Sequence, residues 1–129
     1  MIVTTARSRS VVFGAAGADL IAVLAFAAIG RRSHEEGFSA LGVLEVAGPF
    51  LFGALVGWLA GRVWRAPPRL PSGVAVWAGT VVVGLATRVA FTHRLPASFV
   101  LVASASLAVF VIGWRLVALI AGRVARRTA

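Results

Sequence analysis

Four long apolar runs, separated by short polar connections, occupy most of this 129-residue chain. The runs cover residues 11–30, 41–61, 73–91 and 98–122, which are 20, 21, 19 and 25 residues long. An α-helix rises about 1.5 Å per residue, so about 20 apolar residues are needed to cross the hydrocarbon core of a bilayer. The pattern therefore predicts an all-α protein, an integral membrane bundle of four antiparallel transmembrane helices.

Composition extends this prediction to the whole chain. Hydrophobic residues make up 60% of the sequence and the mean hydropathy is +0.95, whereas apolar residues are about half of a soluble domain. The residues outside the runs are too few for a soluble domain, so residues 1–129 are expected to form a single membrane domain. Cysteine is absent, which excludes disulfide exchange, thiolate metal sites and haem attached through a C-x-x-C-H motif.

The net charge of +9 comes from thirteen arginines, with no lysine, set against four acidic residues. In a soluble protein such a charge would indicate nucleic-acid binding. Here the arginines lie mainly beside the ends of the runs, where membrane topology and anionic lipids account for them. We therefore expect the lipid bilayer, and no nucleic acid, as the partner of these arginines.

The distribution of arginine predicts the orientation of the chain in the membrane. Eight arginines lie in the N-terminal segment, the second connection and the C-terminal tail, and three lie in the first and third connections. Cytoplasmic segments carry an excess of arginine, so both termini of this multi-pass protein are expected in the cytoplasm. All four tryptophans then lie toward the cytoplasmic interface, where an indole ring is favoured: Trp58, Trp64, Trp77 and Trp114.

The first run also resembles a secretory signal, because two arginines precede it and residues 25–27 form an A-x-A sequence. Three features oppose that interpretation. The run is as long as a complete span and is interrupted by Asp19, and Arg31 and Arg32 follow it directly. We therefore expect the first run to remain as a membrane span.

Each run contains one ionisable residue, and depth sorts the four into two acid–base pairs. Asp19 and Arg115 lie about 12 and 10 Å from the cytoplasmic ends of their spans, whereas Glu45 and Arg88 lie about 6 and 5 Å from the outer ends. Charged side chains within a membrane usually face protein or water. Small helical neighbours predict that Asp19, Glu45 and Arg88 point inward. Arg115 has apolar neighbours, which leaves open whether it pairs with Asp19 or extends toward the cytoplasm.

Three glycines at four-residue spacing, Gly53, Gly57 and Gly61, form a ridge along the second run. Such a ridge lets the backbone of another helix approach closely in lipid. The pattern leaves open whether that helix belongs to this chain or to another copy, and it favours a span of this chain.

The first connection is the densest polar stretch, running from Arg31 through Ser33 and His34 to Glu35 and Glu36. A histidine beside two carboxylates is a candidate for divalent metal binding, but the spacing does not place two ligands on one helical face. His93 emerges on the same side, on a separate connection. A solvated polar loop is therefore the favoured interpretation, and we expect no metal and no haem there.

The chain resembles the domain-of-unknown-function family numbered 3054, which comprises small prokaryotic membrane proteins with four predicted spans. The resemblance covers roughly residues 11–120. It rests on polar residues and short motifs that hydropathy alone would not place there: Asp19, Phe26, Ile29-Gly30-Arg31-Arg32-Ser33-His34, Pro49-Phe50, Arg88, Ser98-Phe99-Val100 and Trp114-Arg115. The family implies a prokaryotic cytoplasmic membrane but no activity, substrate or cofactor, and it marks six residues for study: Asp19, Arg31, Ser33, His34, Arg88 and Arg115.

The favoured function is a structural or accessory membrane component in which buried acid–base pairs fix the helices. The alternative is a small oligomeric transporter or channel that binds a proton or substrate through Asp19 or Glu45. An enzyme ranks third, since the sequence has no nucleophile–base set and no metal motif, and no cofactor is expected. A second copy of the chain or another membrane protein is the partner that this sequence allows.

Overall fold

The computed structural model describes residues 2–33 and 39–128, with side chains described for 9–31 and 39–128. Within these ranges the chain is almost entirely helical and contains no strand. The elements in chain order are α1 (Ile2–Ser33), α2 (Ala40–Ala60), a 3₁₀ turn (Val63–Arg65), α3 (Leu70–Thr92), α4 (Ala97–Leu107), a π-helical segment (Ala108–Ile112) and α5 (Gly113–Thr128). The last three elements follow one another without a break and are together called the fourth span.

Four stretches of the described chain are long and apolar enough to cross a membrane: Arg9–Arg31, Ala40–Ala60, Leu70–Thr92 and Ala97–Thr128. They match the four predicted runs, which confirms the all-α bundle of four spans, and the protein is a membrane protein. Consecutive spans are antiparallel neighbours, and the fourth packs back against α1, so the helices form a closed ring.

The ends of the helices follow from local sequence. The Ser39 hydroxyl accepts a hydrogen bond from the Gly42 N–H at 3.0 Å and so caps α2. Pro71 lies in the first turn of α3, where a missing N–H costs nothing. At the other end of α3, His93 adopts the left-handed conformation (φ 58°) and donates its N–H to the Val89 carbonyl. Both connections to α3 are therefore short and well defined.

Aromatic side chains fill the centre of the bundle. Phe50 of α2 is fully buried and meets the edge of Phe26 from α1, with ring centroids 5.1 Å apart and planes at 74°. On its other side Phe50 approaches Phe99 of α4, at 6.3 Å. Gly84 of α3 leaves room for the same ring, because a β-carbon there would lie 2.5 Å from Phe50 Cδ1. The ring of Phe50 in the second span thus contacts the other three spans.

The glycine ridge of α2 packs against α3 of the same chain. A β-carbon on Gly53 would lie 2.6 Å from the Gly79 carbonyl oxygen, and one on Gly57 would lie 2.7 Å from the Ala75 carbonyl oxygen. Gly61, directly after α2, faces the Ala75 side chain, because a β-carbon there would lie 2.6 Å from Ala75 Cβ. The two backbones therefore touch, which is the contact that small residues permit between helices in lipid.

The π-helical segment sets the direction of the residues that follow it. Buried positions in the fourth span recur every four residues, at Ala103, Leu107, Val111 and Arg115. In an α-helix with 3.6 residues per turn, this series would rotate by about 40° at each step. The π segment has a wider turn and offsets that rotation. Arg115 consequently faces the core.

Candidate functional site

Asp19 and Arg115 form a two-pronged ion pair inside the bundle. Arg115 Nη1 donates to Asp19 Oδ1 and Arg115 Nη2 donates to Asp19 Oδ2, both at 2.8 Å. Asp19 is 2% exposed and Arg115 is 0% exposed. The two parallel bonds are the strongest geometry that a guanidinium and a carboxylate can adopt. The inner pair that the matching depths allow is therefore formed. The alternative, extension of Arg115 toward the cytoplasm, is wrong, because the π segment turns the side chain inward.

Two tryptophans complete the hydrogen bonding of the carboxylate. Trp58 Nε1 donates to Asp19 Oδ2 and Trp114 Nε1 donates to Asp19 Oδ1, each at 2.9 Å. Each oxygen of Asp19 thus accepts two hydrogen bonds, one from the guanidinium and one from an indole. An ionised carboxylate has about four lone-pair sites, and all of them are occupied.

Backbone carbonyls satisfy most of the remaining guanidinium donors. Arg115 Nε donates to the Pro67 carbonyl at 2.8 Å, and Nη1 also donates to the Val111 carbonyl at 3.0 Å. The guanidinium carbon lies 4.4 Å from the centre of the Trp114 ring. Gly73 leaves space for the side chain, since a β-carbon there would lie 2.6 Å from Arg115 Cδ. These contacts compensate the desolvation that makes a bare buried charge so unfavourable.

We call these groups the Asp19 cluster: Asp19, Trp58, Trp114, Arg115 and the Pro67 carbonyl. The cluster joins α1, α2, the α2–α3 connection and the fourth span at one point. Trp58 is only two residues before the end of α2. The cluster therefore lies at the end of the α2–α3 hairpin, directly under its turn, whereas α1 and the fourth span continue past it.

The predicted outer pair is not formed. Glu45 is exposed, on the side of α2 opposite the buried Val43 and Ala47. Arg88 instead places its guanidinium 4.5 Å from the centre of the Phe99 ring. The predictions that Glu45 points inward and pairs with Arg88 are therefore wrong. Matching depth is necessary for a pair, but depth does not fix the direction around each helix.

The polar residues of the first connection are placed only in part. The Arg31 guanidinium lies against Gly42 of α2, where a β-carbon would come within 2.6 Å of Nη2. The side chain of Ser33 and the whole of His34 lie outside the described residues. In the described ranges no three side chains of the metal-binding types come together.

Comparison with known protein families shows which family the chain belongs to. The model of a family described as protein of unknown function (DUF3054) matches residues 16–118. The chain belongs to this family. Asp19, Trp58, Pro67, Trp114 and Arg115 all lie within the matched range. Neither the curated proteins nor the solved structures provide a significant match.

The tryptophans of this DUF3054 protein have roles that the interfacial interpretation did not provide. Trp58 and Trp114 donate hydrogen bonds to Asp19, and Trp77 donates from Nε1 to the Ser104 carbonyl at 2.9 Å. Only Trp64, which is 45% exposed, fits the interfacial interpretation alone. A signal for these contacts is present in the sequence, because an indole N–H within an apolar span needs an acceptor.

Proposed function

We propose that this DUF3054 protein is a structural or accessory component of the prokaryotic cell membrane, without catalytic activity of its own. The Asp19 cluster is the observation that supports this role. Its polar atoms bind one another and the backbone, and its two charged residues are almost completely buried. In this role the cluster fixes which helices are neighbours and in what register, which is a documented use of buried polar groups in helical assemblies.

The transport alternative receives less support from the same geometry. A carboxylate that carries a proton or a cation must exchange its partners during each cycle. Asp19 already accepts four hydrogen bonds, two of them from a guanidinium. Glu45 is exposed and remains the candidate for that alternative.

A flux measurement distinguishes the two functions. Purified protein is reconstituted into liposomes that contain a pH-sensitive dye, and a proton or sodium gradient is applied. We expect leakage no faster than in protein-free liposomes, and we expect Glu45→Gln, which leaves the Asp19 cluster intact, to leave that rate unchanged. A wild-type flux above that of protein-free liposomes would replace the structural role by transport, and its loss in Glu45→Gln would assign the transport to that carboxylate.

Our proposal includes the orientation, with both termini in the cytoplasm of a multi-pass protein. The arginine distribution supports it, because Arg123, Arg126 and Arg127 lie in the last turns of the fourth span, on the side of the α2–α3 turn. The chain has no cysteine, so single cysteines report orientation without background. In intact cells, Arg65→Cys and Arg126→Cys are expected to resist a membrane-impermeant maleimide, whereas Arg94→Cys should react. Labelling of the first two in intact cells would reverse the orientation.

A further inference from the structure

Glu45 and Arg88 are opposite charges within the spans that the folded chain does not bring together. Glu45 lies five residues after the start of α2, and Arg88 lies four residues before the end of α3. These are depths of about 8 and 6 Å from the same side of the bundle. Among the described residues neither side chain has a hydrogen bond or an ion pair. Within the described ranges, 2–33 and 39–128, both charges therefore lack a polar partner at that level.

Glu45 lies on a surface that we call the outer face of α2: Leu41, Leu44, Glu45, Gly48 and Phe52. All five residues are exposed. A carboxylate that faces acyl chains is rare and unfavourable in membrane helices. Pro49 has no N–H and cannot donate to the Glu45 carbonyl, which is the bond an ordinary helix would form. The Glu45 backbone carbonyl thus lacks its usual helical donor, and the Glu45 carboxylate lies on an exposed side of a span, where acyl chains would surround it in place of water.

Gly48 makes the same surface accessible to another backbone. A β-carbon on Gly48 would meet nothing within 4 Å, whereas one on Gly53 or Gly57 would collide with α3. Packing within the chain therefore explains the glycine ridge but does not explain Gly48. A glycine next to exposed acceptors in a span permits the close approach of a second helix.

Arg88 carries the positive charge and the N–H donors that would complement the Glu45 carboxylate. Its side chain is half-buried and its guanidinium contacts the Phe99 ring. A guanidinium has five N–H donors. Among the described residues, the Arg88 guanidinium donates no hydrogen bond, and its contact is with the face of the Phe99 ring. Copies of the chain that share one membrane orientation place Arg88 of each copy at the depth of Glu45 of the next.

We propose that a second copy of this chain covers the outer face of α2 and places its Arg88 on Glu45. The outer face of α2 and the α3–α4 edge that carries Arg88 are different surfaces, so the contact is heterologous. This inference does not rest on the structural role proposed above. It brings together in one interface the Glu45 carboxylate, the exposed backbone at Gly48 and the Arg88 guanidinium.

A charge exchange tests the pairing. Two differently tagged copies are co-expressed, extracted in mild detergent, and the co-purified fraction is measured. Wild-type copies should associate, and Glu45→Arg or Arg88→Glu alone should reduce the fraction at least tenfold. Co-expression of the Glu45→Arg chain with the Arg88→Glu chain should restore it to within about twofold, because opposite charges again meet. Arg94→Glu, outside the spans, is the matched control and should associate as the wild type does.

Cysteine crosslinking in native membranes gives a second measurement that leaves both charges in place. Leu41→Cys in one copy and Phe91→Cys in the other lie at matching depths, each one residue from the outer end of its helix. Oxidation should join them, whereas Leu59→Cys, at the opposite end of α2, should not join Phe91→Cys. The proposal is overturned if wild-type copies do not associate, if Glu45→Arg associates normally, or if the mixed pair is no better than either variant.

Discussion

Replacing Asp19 by asparagine is expected to lower the free energy of unfolding by about 3–5 kcal/mol, because Arg115 is left as an uncompensated buried charge. Arg115→Leu should cost a similar amount, since the Asp19 carboxylate then keeps only its two indole donors. The double variant should recover much of the loss because both desolvation penalties disappear together. Denaturant unfolding in one detergent, measured for the two single variants and the double, gives the coupling free energy.

The matched control for this cycle is Arg123→Leu. Arg123 lies two turns further along α5 and is exposed, so its loss should change the free energy of unfolding by less than about 0.5 kcal/mol. Losses at Asp19 and Arg115 that simply add in the double variant would show that the ion pair does not form in the folded protein. Asp19 would then become a stronger candidate for a functional carboxylate.

The second large effect is expected at the contact between α2 and α3. A β-carbon on Gly57 would lie 2.7 Å from the Ala75 carbonyl oxygen and 3.0 Å from Val76 Cα. These are backbone atoms, so Gly57→Ala can be accommodated only by moving one helix, at about 1–3 kcal/mol. Gly57→Leu should cost more. Thermal unfolding in detergent measures both changes.

Gly17→Ala provides the comparison, since a β-carbon there meets nothing within 4 Å. With no steric cost, alanine should stabilise α1 by up to about 1 kcal/mol through its higher helix propensity. The two Gly→Ala variants are therefore expected to change stability in opposite directions. If both stabilised the protein, the close approach of α2 and α3 would be incorrect.

Hydropathy predicts the four spans and their depths well, because length and apolar composition are properties of each segment alone. It also predicts that Asp19 and Arg115 lie at levels that allow them to meet. Hydropathy does not predict the direction in which a side chain points around the helix axis. Apart from Glu45, α2 is apolar on all sides, so its sequence has no extended polar face from which to choose the inward side. The close contact of Gly53 and Gly57 with α3 makes that choice, and it leaves Glu45 outside.

The donors around Asp19 were harder to predict for a related reason. A tryptophan near the end of a span has two ordinary roles, as an interfacial residue and as a hydrogen-bond donor to a buried acceptor. Sequence position alone does not separate them for Trp58 and Trp114. The inward direction of Arg115 depends on the π segment at Ala108–Ile112. That segment contains no glycine or proline, so the sequence gives no sign of an irregular turn there.

The Asp19 cluster also has a consequence for how the protein is made. Arg115 follows Asp19 by 96 residues. Translation adds about 5–20 residues per second, so the carboxylate leaves the ribosome roughly 5–20 s before its guanidinium. Trp58 follows Asp19 by only 39 residues and is the first of its side-chain donors to be synthesised. The second span therefore carries the first indole that is available to Asp19 during synthesis, and the ring of helices can close only when the last span arrives.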